Sequence, residues 1–358
     1  MRVLCLSFYP EAGPSVRHRI AGYKKYWAQD RVELTIAPFL TKRLFRNRRK
    51  FGAWNQTIKM ATLLFCVVRA LARLPRLPFY DAIIIHREIF PFGSAWYERL
   101  VTRLNPRCVF DFDDAIWVMM PLKINQRKFL WDPNKVADTI QSCAAVVAGN
   151  NYLKNYAVSF NNNCEVIPTP YPDIGGGQQR ITNKISPPII VWIGNVGNDE
   201  YLEPIREPLK KLATTHDFIF RIIGAPSSAN YQIEGVKVEN LIWEMNQEAN
   251  WLLESSIGVM PLPDREYEQG KCAFKIVQYY SAGLPVVASP VGMNCDVVDP
   301  GETGYLADSP AQWLEALTLL LDDDHHRQQL SAAAHHFHQR YFQPDRLAQQ
   351  WLTLLRKL

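Results

Sequence analysis

The chain contains no run of about 20 consecutive apolar residues, so a membrane-spanning helix is not expected. Its seven cysteines, Cys5, Cys66, Cys108, Cys143, Cys164, Cys272 and Cys295, include no CxxC pair. A zinc knuckle or a disulfide framework therefore has no support, and buried free thiols in a reducing cytosol are the expectation. The opening MRVLCLSFYP is a short apolar strand meeting a turn, without the long apolar core and cleavage site of a secretory signal. Acidic residues are missing from one whole stretch. Between Thr41 and Tyr80 there are ten Lys and Arg and no Asp or Glu.

Within that basic stretch, Ile58 to Leu71 has apolar positions recurring at helical spacing. An amphipathic helix beside a basic flank can hold anionic lipid headgroups; the alternative is a core helix behind a solvated basic loop. No nucleic-acid reading module accompanies the charge, so nucleic acid is not an expected partner. The expected membrane partner is thus an anionic surface engaged through residues 41–76, with the protein in the cytoplasm or peripheral on the cytoplasmic membrane face.

The chain is 358 residues long and 47% hydrophobic, which suits two domains that each bury a core. Strand and helix signals alternate through the first half. Val3 to Phe8, Val32 to Ala37, Tyr80 to His86, Cys108 to Asp111, Ala144 to Ala148 and Glu165 to Ile167 read as strands, and a helix is expected from about Arg17 to Gln29. Prolines and glycines then crowd residues 169–188, which reads as a linker. The alternation restarts with Ile189 to Ile193, whose end is Gly194-Asn195-Val196-Gly197-Asn198. The expected division is 1–168, an N-terminal acceptor-side Rossmann-like domain; 169–188, a linker; 189–340, a C-terminal donor domain; and 341–358, a helix returning to the first domain. Two α/β halves in tandem face each other across a cleft at the carboxyl ends of their parallel strands, where open α/β sheets bind ligands.

Glu268 to Pro290 carries the strongest chemical signal. A polar loop leads into a helix expected from about Lys271 to Ser281, closed by Gly283 and followed by a buried strand. The first turn of such a helix offers free N–H groups and a positive dipole end, which suit a diphosphate. Lys271, Lys275 and Gln278 fall on one face at this spacing.

From Gly270 to Ser289 this segment resembles the signature of glycosyltransferase family 4, and Gly301-Glu-Thr-Gly-Tyr-Leu-Ala resembles the step that follows it. The resemblance implies the two-domain GT-B fold, a nucleoside-diphosphate sugar donor, retention of anomeric configuration, no obligatory metal and no cofactor. Two departures stand out. Gln278 occupies the place of the signature's second glutamate, and Gly270 that of the first, with Glu268 as the nearest carboxylate. Asn195 and roughly Glu200 stand where the family has Arg and Lys.

Glu268, Lys275 and His86 are the expected catalytic residues; by this resemblance Glu268 would contact sugar hydroxyls, and Lys271, Lys275 and Gln278 would bind the donor with Gly194, Asn195 and Gly197. Trp243 would lie near the base. Arg17 and Arg19, after the first strand, would clamp the phosphates; Arg suits this better than Lys because it binds bidentately. His86 and Glu88 close a buried strand and would orient the acceptor or the sugar. Asp113 and Asp114 would line the acceptor side, with helix capping as the alternative. The Asp111-Phe-Asp pattern resembles a metal motif of the GT-A fold, but the tandem architecture argues against that role. His325, His326, His335, His336 and His338 lack a ligand pattern and are expected to be solvated.

The expected function is a retaining hexosyltransferase acting in polysaccharide or cell-envelope biosynthesis, on a glycan or lipid-linked acceptor. The alternatives are a non-catalytic nucleotide-sugar binder and a sugar-nucleotide epimerase of the same fold.

Overall fold

The computed structural model describes residues 1–46, 56–91, 93–118, 132–175, 187–194, 199–224 and 231–358. They form two compact units, one of Met1–Pro170 with Pro344–Leu358, the other of Tyr171–Gln343.

The first unit is built on a six-stranded, wholly parallel sheet. Its strands are β1 (Arg2–Ser7), β2 (Glu33–Pro38), β3 (Ala82–His86), β4 (Cys108–Phe112), β5 (Ala145–Ala148) and β6 (Cys164–Val166), in the order β2-β1-β3-β4-β5-β6. β3, with three consecutive isoleucines, and β4 and β5 are buried along their whole length. Strands covered on both faces need apolar residues at every position, so their sequences read as continuous apolar runs rather than as alternation. The chain passes from β1 outward to β2 and then returns to place β3 on the other side of β1. That reversal opens a crevice at the carboxyl ends of β1 and β3.

The helix expected from Arg17 to Gln29 is broken into Pro14–Arg19, a 3₁₀ turn at Ala21–Tyr23, and Lys24–Gln29. The C-terminal helix Pro344–Arg356 completes this core. Trp351 packs edge-on to Trp27 at 6.3 Å, and the Trp27 indole N–H donates to the Ala348 carbonyl at 3.2 Å. Burying two tryptophans fixes that helix far more firmly than helical propensity would.

The second unit repeats the plan. β7 (Ile189–Ile193), β8 (Ile219–Ile223), β9 (Lys237–Leu241), β10 (Ile257–Met260), β11 (Val286–Ala288) and β12 (Gly304–Leu306) form a second parallel sheet in the order β12-β11-β10-β7-β8-β9. Here the reversal lies between β7 and β10. A Cβ on Gly258, in β10, would lie 2.4 Å from the Tyr279 ring, so only glycine lets the helix Phe274–Ser281 sit this close to the sheet. The Tyr279 hydroxyl then donates to the Val259 carbonyl at 3.2 Å and accepts from the Ile193 N–H at 3.0 Å, joining β7 to β10 at their carboxyl ends. Ser309 and Asp323 cap the N-termini of Pro310–Asp322 and Asp324–Tyr341, each accepting a first-turn N–H.

None of the seven cysteines is in a disulfide; Cys295 is exposed and the other six are buried. Among the described residues no helix is long and apolar enough to cross a membrane.

Candidate functional site

In the second unit, the segments after β7 and β10 meet around the carboxylate of Glu268. Glu268 lies on the short helix Glu266–Gln269 and is 3% exposed. One of its oxygens accepts the Tyr201 hydroxyl at 2.6 Å; the other is buried with no hydrogen-bond partner among the described residues. Burial, then the hydrogen bond and negative charge of Glu268, push the Tyr201 phenol far up, so Tyr201 remains a donor at any ordinary pH.

The helix expected from Lys271 begins instead at Phe274, because Ala273 adopts a left-handed conformation with φ 46° and interrupts the chain before it. Lys271 therefore lies ahead of the helix rather than on a shared face with Lys275. Its ammonium sits over the Tyr267 ring at 4.7 Å and the Tyr201 ring at 5.7 Å. Lys275, in the first turn, places its ammonium 5.5 Å from the centre of the Trp192 ring. A Cβ on Gly194 would lie 2.1 Å from that same ring, so glycine is required where β7 ends. Gly283 takes φ 64° and closes the helix as expected. Asn195 and Gly197 lie outside the described residues.

Gln278 is buried, and its amide donates to Glu248 at 2.9 Å. Glu248, 6% exposed in the first turn of Glu248–Glu254, also accepts the Tyr171 hydroxyl at 2.5 Å and the Trp243 indole N–H. Three donors converge on this one carboxylate. Nothing in the sequence marks Glu248, because an acid in the first turn of a helix is too common to stand out. It explains the glutamine at 278, since a glutamate there would set two carboxylates face to face in a buried site. Trp243 is half-buried, and its N–H is committed to this network.

In the first unit a polar cluster occupies the carboxyl ends of β1, β3 and β4. Asp111 is fully buried and binds Arg19 at 2.7 Å through one oxygen and His86 Nδ1 at 2.6 Å through the other. Arg19 also donates to the Ile167 carbonyl at 2.9 Å and is itself fully buried. Its assignment to the donor phosphates is thereby corrected. A guanidinium locked between β4 and the end of β6 holds the sheet together and has no surface to offer a ligand.

His86 is 2% exposed; its Nε2 lies 2.8 Å from Ser15 Oγ, which also donates to Asp113 at 2.9 Å. Ser15 Oγ, His86 and Asp111 thus form a hydrogen-bonded chain, with the imidazole orientation fixed by the carboxylate. Among the described residues Asp113 and Asp114 cap no helix. Both are held at 2.5 Å by the guanidinium of Arg87, whose own backbone has φ 55°. Burial alone would raise the Asp113 carboxyl, but Arg87, His86 and Arg19 outweigh it and hold it well below the usual range. Ser15 and Arg87 were missed in the sequence, where a turn serine and a strand-end arginine carry no distinctive spacing. Glu88 is exposed.

Arg17 donates from Nε to His18 Nε2 at 3.2 Å. Burial, then the Arg17 charge, push His18 down to about 3, so the ring is a neutral acceptor that steadies the Arg17 side chain. Of the late histidines, His338 is not solvated. It is fully buried with Nε2 3.0 Å from the Tyr171 carbonyl, and burial lowers it to about 4. Among the described residues no group of three or more His, Cys, Asp or Glu is arranged to hold a metal ion.

Residues 187–323 match the family described as Glycosyl transferases group 1, and they contain Glu248, Glu268, Lys271, Lys275 and Gln278. No curated protein matches this chain in sequence. Its fold is similar to that of a glycosyltransferase from Rickettsia africae (TM-score 0.69, 12% identity, covering 99% of this chain and 97% of that one). It is also similar to HepE from Anabaena in complex with UDP-glucose (0.65, 13%, all of both chains) and to sucrose-phosphate synthase from Thermosynechococcus elongatus (0.66, 12%, 99% and 98%). The fold class is GT-B, with two Rossmann-like α/β units.

Proposed function

We propose that the protein is a retaining glycosyltransferase that moves a hexosyl group from a nucleoside-diphosphate sugar to a glycan or lipid-linked acceptor. The observation that carries this reading is the buried oxygen of Glu268 that has no hydrogen-bond partner among the described residues. Leaving such an atom without a hydrogen bond costs about 1–3 kcal/mol, and more when it is charged. A sugar hydroxyl is a donor of the right size and polarity to satisfy it. Beside it, the first turn of Phe274–Ser281 and the ammonium groups of Lys271 and Lys275 suit the two phosphates. HepE holds UDP-glucose, which makes UDP-sugars the first donors to test.

In this reading Lys275 stabilises the charge that develops on the departing diphosphate. The acceptor attacks the face the diphosphate leaves, and a phosphate oxygen takes the acceptor proton, so the anomeric configuration is kept and no metal or cofactor is required. Arg17, held by His18, is assigned to the donor phosphates. His86, fixed by Asp111, is assigned to the acceptor side through Ser15, whose hydroxyl its Nε2 meets at 2.8 Å, with Asp113 and Asp114 holding the surrounding loop through Arg87.

The test is incubation with UDP-, GDP- and dTDP-sugars, with and without lipid extracts and glycans. Nucleoside diphosphate released only when acceptor is present, with a product of the donor's anomeric configuration by NMR, is expected. Isomerised donor without release would make the protein an epimerase, and binding without turnover would make it a nucleotide-sugar binder.

A further inference from the structure

We propose that the outer face of the helix Gln56–Leu71 seats the protein on an anionic lipid surface. A helix on the surface of a globular protein normally turns its apolar stripe inward and its charges outward. This one is apolar on both sides, with Leu63, Cys66, Val67 and Ala70 turned inward and large apolar side chains exposed on the other side. Cys66 and Ala70 are its buried residues, at 1% and 3% exposure. Arg69, and Arg73 just past its end, reach back into the protein. Arg69 donates to the carbonyls of Pro38 and Phe39 at 2.6 and 2.5 Å, and Arg73, just beyond the helix, to those of Ala37 and Pro38 at 3.1 and 2.9 Å. Those bonds pin the C-terminal part of the helix to the end of β2.

The outward side is apolar. Met60, Leu64, Phe65 and Val68 are 65, 63, 57 and 56% exposed, and Ile58 is 52% exposed. Leu64, Phe65 and Val68 follow one another at i, i+1 and i+4, on a single side of the helix. Large side chains clustered in water on one helix face mark an interaction surface.

Charge decides the occupant. No acidic residue occurs from Thr41 to Tyr80. The short helix Lys42–Arg46 starts four residues after Pro38, whose carbonyl Arg69 and Arg73 bind, and it exposes Lys42, Arg43 and Arg46. Arg76 and Phe79, beyond the other end, are exposed as well. Apolar residues flanked by cations match the depth profile of an anionic membrane, with acyl chains below and negative headgroups above. A second copy of this chain would bring two strongly basic segments together, which its charge opposes. The inference does not depend on sugar transfer and is tested without it.

The experiment is sedimentation of the full chain with vesicles of phosphatidylcholine alone and of phosphatidylcholine mixed with phosphatidylglycerol. The protein should partition onto the anionic vesicles at least about tenfold better and be released by high salt. The triple change Leu64→Gln, Phe65→Gln and Val68→Gln should lower that partition about tenfold or more, with an unchanged melting temperature. The separate triple change Lys42→Glu, Arg43→Glu and Arg46→Glu should do the same, and it decides the matter if the first variant fails to fold. Equal binding to both vesicle types, no binding, or wild-type binding by the variants would overturn the proposal. So would a monomer–dimer equilibrium, seen by sedimentation velocity, that the same substitutions abolish, because it would give the face to a second copy.

Discussion

Tyr201 donates its hydroxyl to one oxygen of Glu268 at 2.6 Å, while the other oxygen of that carboxylate is buried without a partner among the described residues. The pair is aimed but incomplete, as a ligand-binding group held ready for its ligand should be. Glu268→Gln keeps the shape and removes the buried charge. Turnover should fall at least about tenfold, or about 1.4 kcal/mol in the barrier, while the melting temperature stays level or rises. A variant with full activity would remove Glu268 from the site.

Gln278 and Glu248 are matched to each other. Gln278→Glu would place a second carboxyl 2.9 Å from the first in a buried site. Burial and the neighbouring charge would raise the new group's folded pKa above its unfolded value of about 4.3. Its contribution is then fully present below about pH 4.3 and lost as pH rises through the raised value. Urea unfolding should show the variant less stable than wild type by about 1–3 kcal/mol at pH 8, with a smaller deficit at pH 5. A deficit independent of pH would mean that the site simply cannot fit the new side chain.

Asp111 neutralises Arg19 where both are fully buried. Asp111→Asn leaves that guanidinium uncompensated, and breaking a buried pair in this way costs about 3–5 kcal/mol. It also frees His86 Nδ1 from its acceptor. A shift of the urea midpoint worth less than about 1 kcal/mol would show that the pair behaves as a surface bridge.

Acid should weaken the fold before the carboxylates titrate. His18 and His338 are held down at about 3 and about 4, each mainly by burial. The unfolded chain takes up their protons as pH falls below about 6.5, whereas the folded chain resists until near pH 4 and then pH 3. Stability therefore declines from about pH 6.5 downward, and the decline ends only near those folded values. His338→Gln, which can still donate to the Tyr171 carbonyl, should flatten the upper part of that slope. An unchanged slope would clear His338 of the effect.

Much of the architecture was legible because buried parallel strands announce themselves. Ile83-Ile84-Ile85 and Ile189 to Ile193 needed no tertiary information, and the Gly283 closure followed from the helix that precedes it. The helix start at Phe274 was not legible, because nothing in Lys-Cys-Ala foretells a left-handed alanine. Arg19 and Arg17 looked alike in sequence; only the location of Asp111, 92 residues away, separates the buried cation from the half-exposed one. Glu248 was hidden for the same reason, since its partners Tyr171, Trp243 and Gln278 come from three separate segments.

The most direct test is calorimetric titration of a nucleotide sugar and of its free nucleoside diphosphate into wild-type protein and Glu268→Gln. Wild type should bind the nucleotide sugar more tightly than the diphosphate. The variant should bind the diphosphate as wild type does and lose the increment due to the sugar. Equal loss for both ligands, or no binding of either by wild type, would contradict the assignment of Glu268 to the donor sugar.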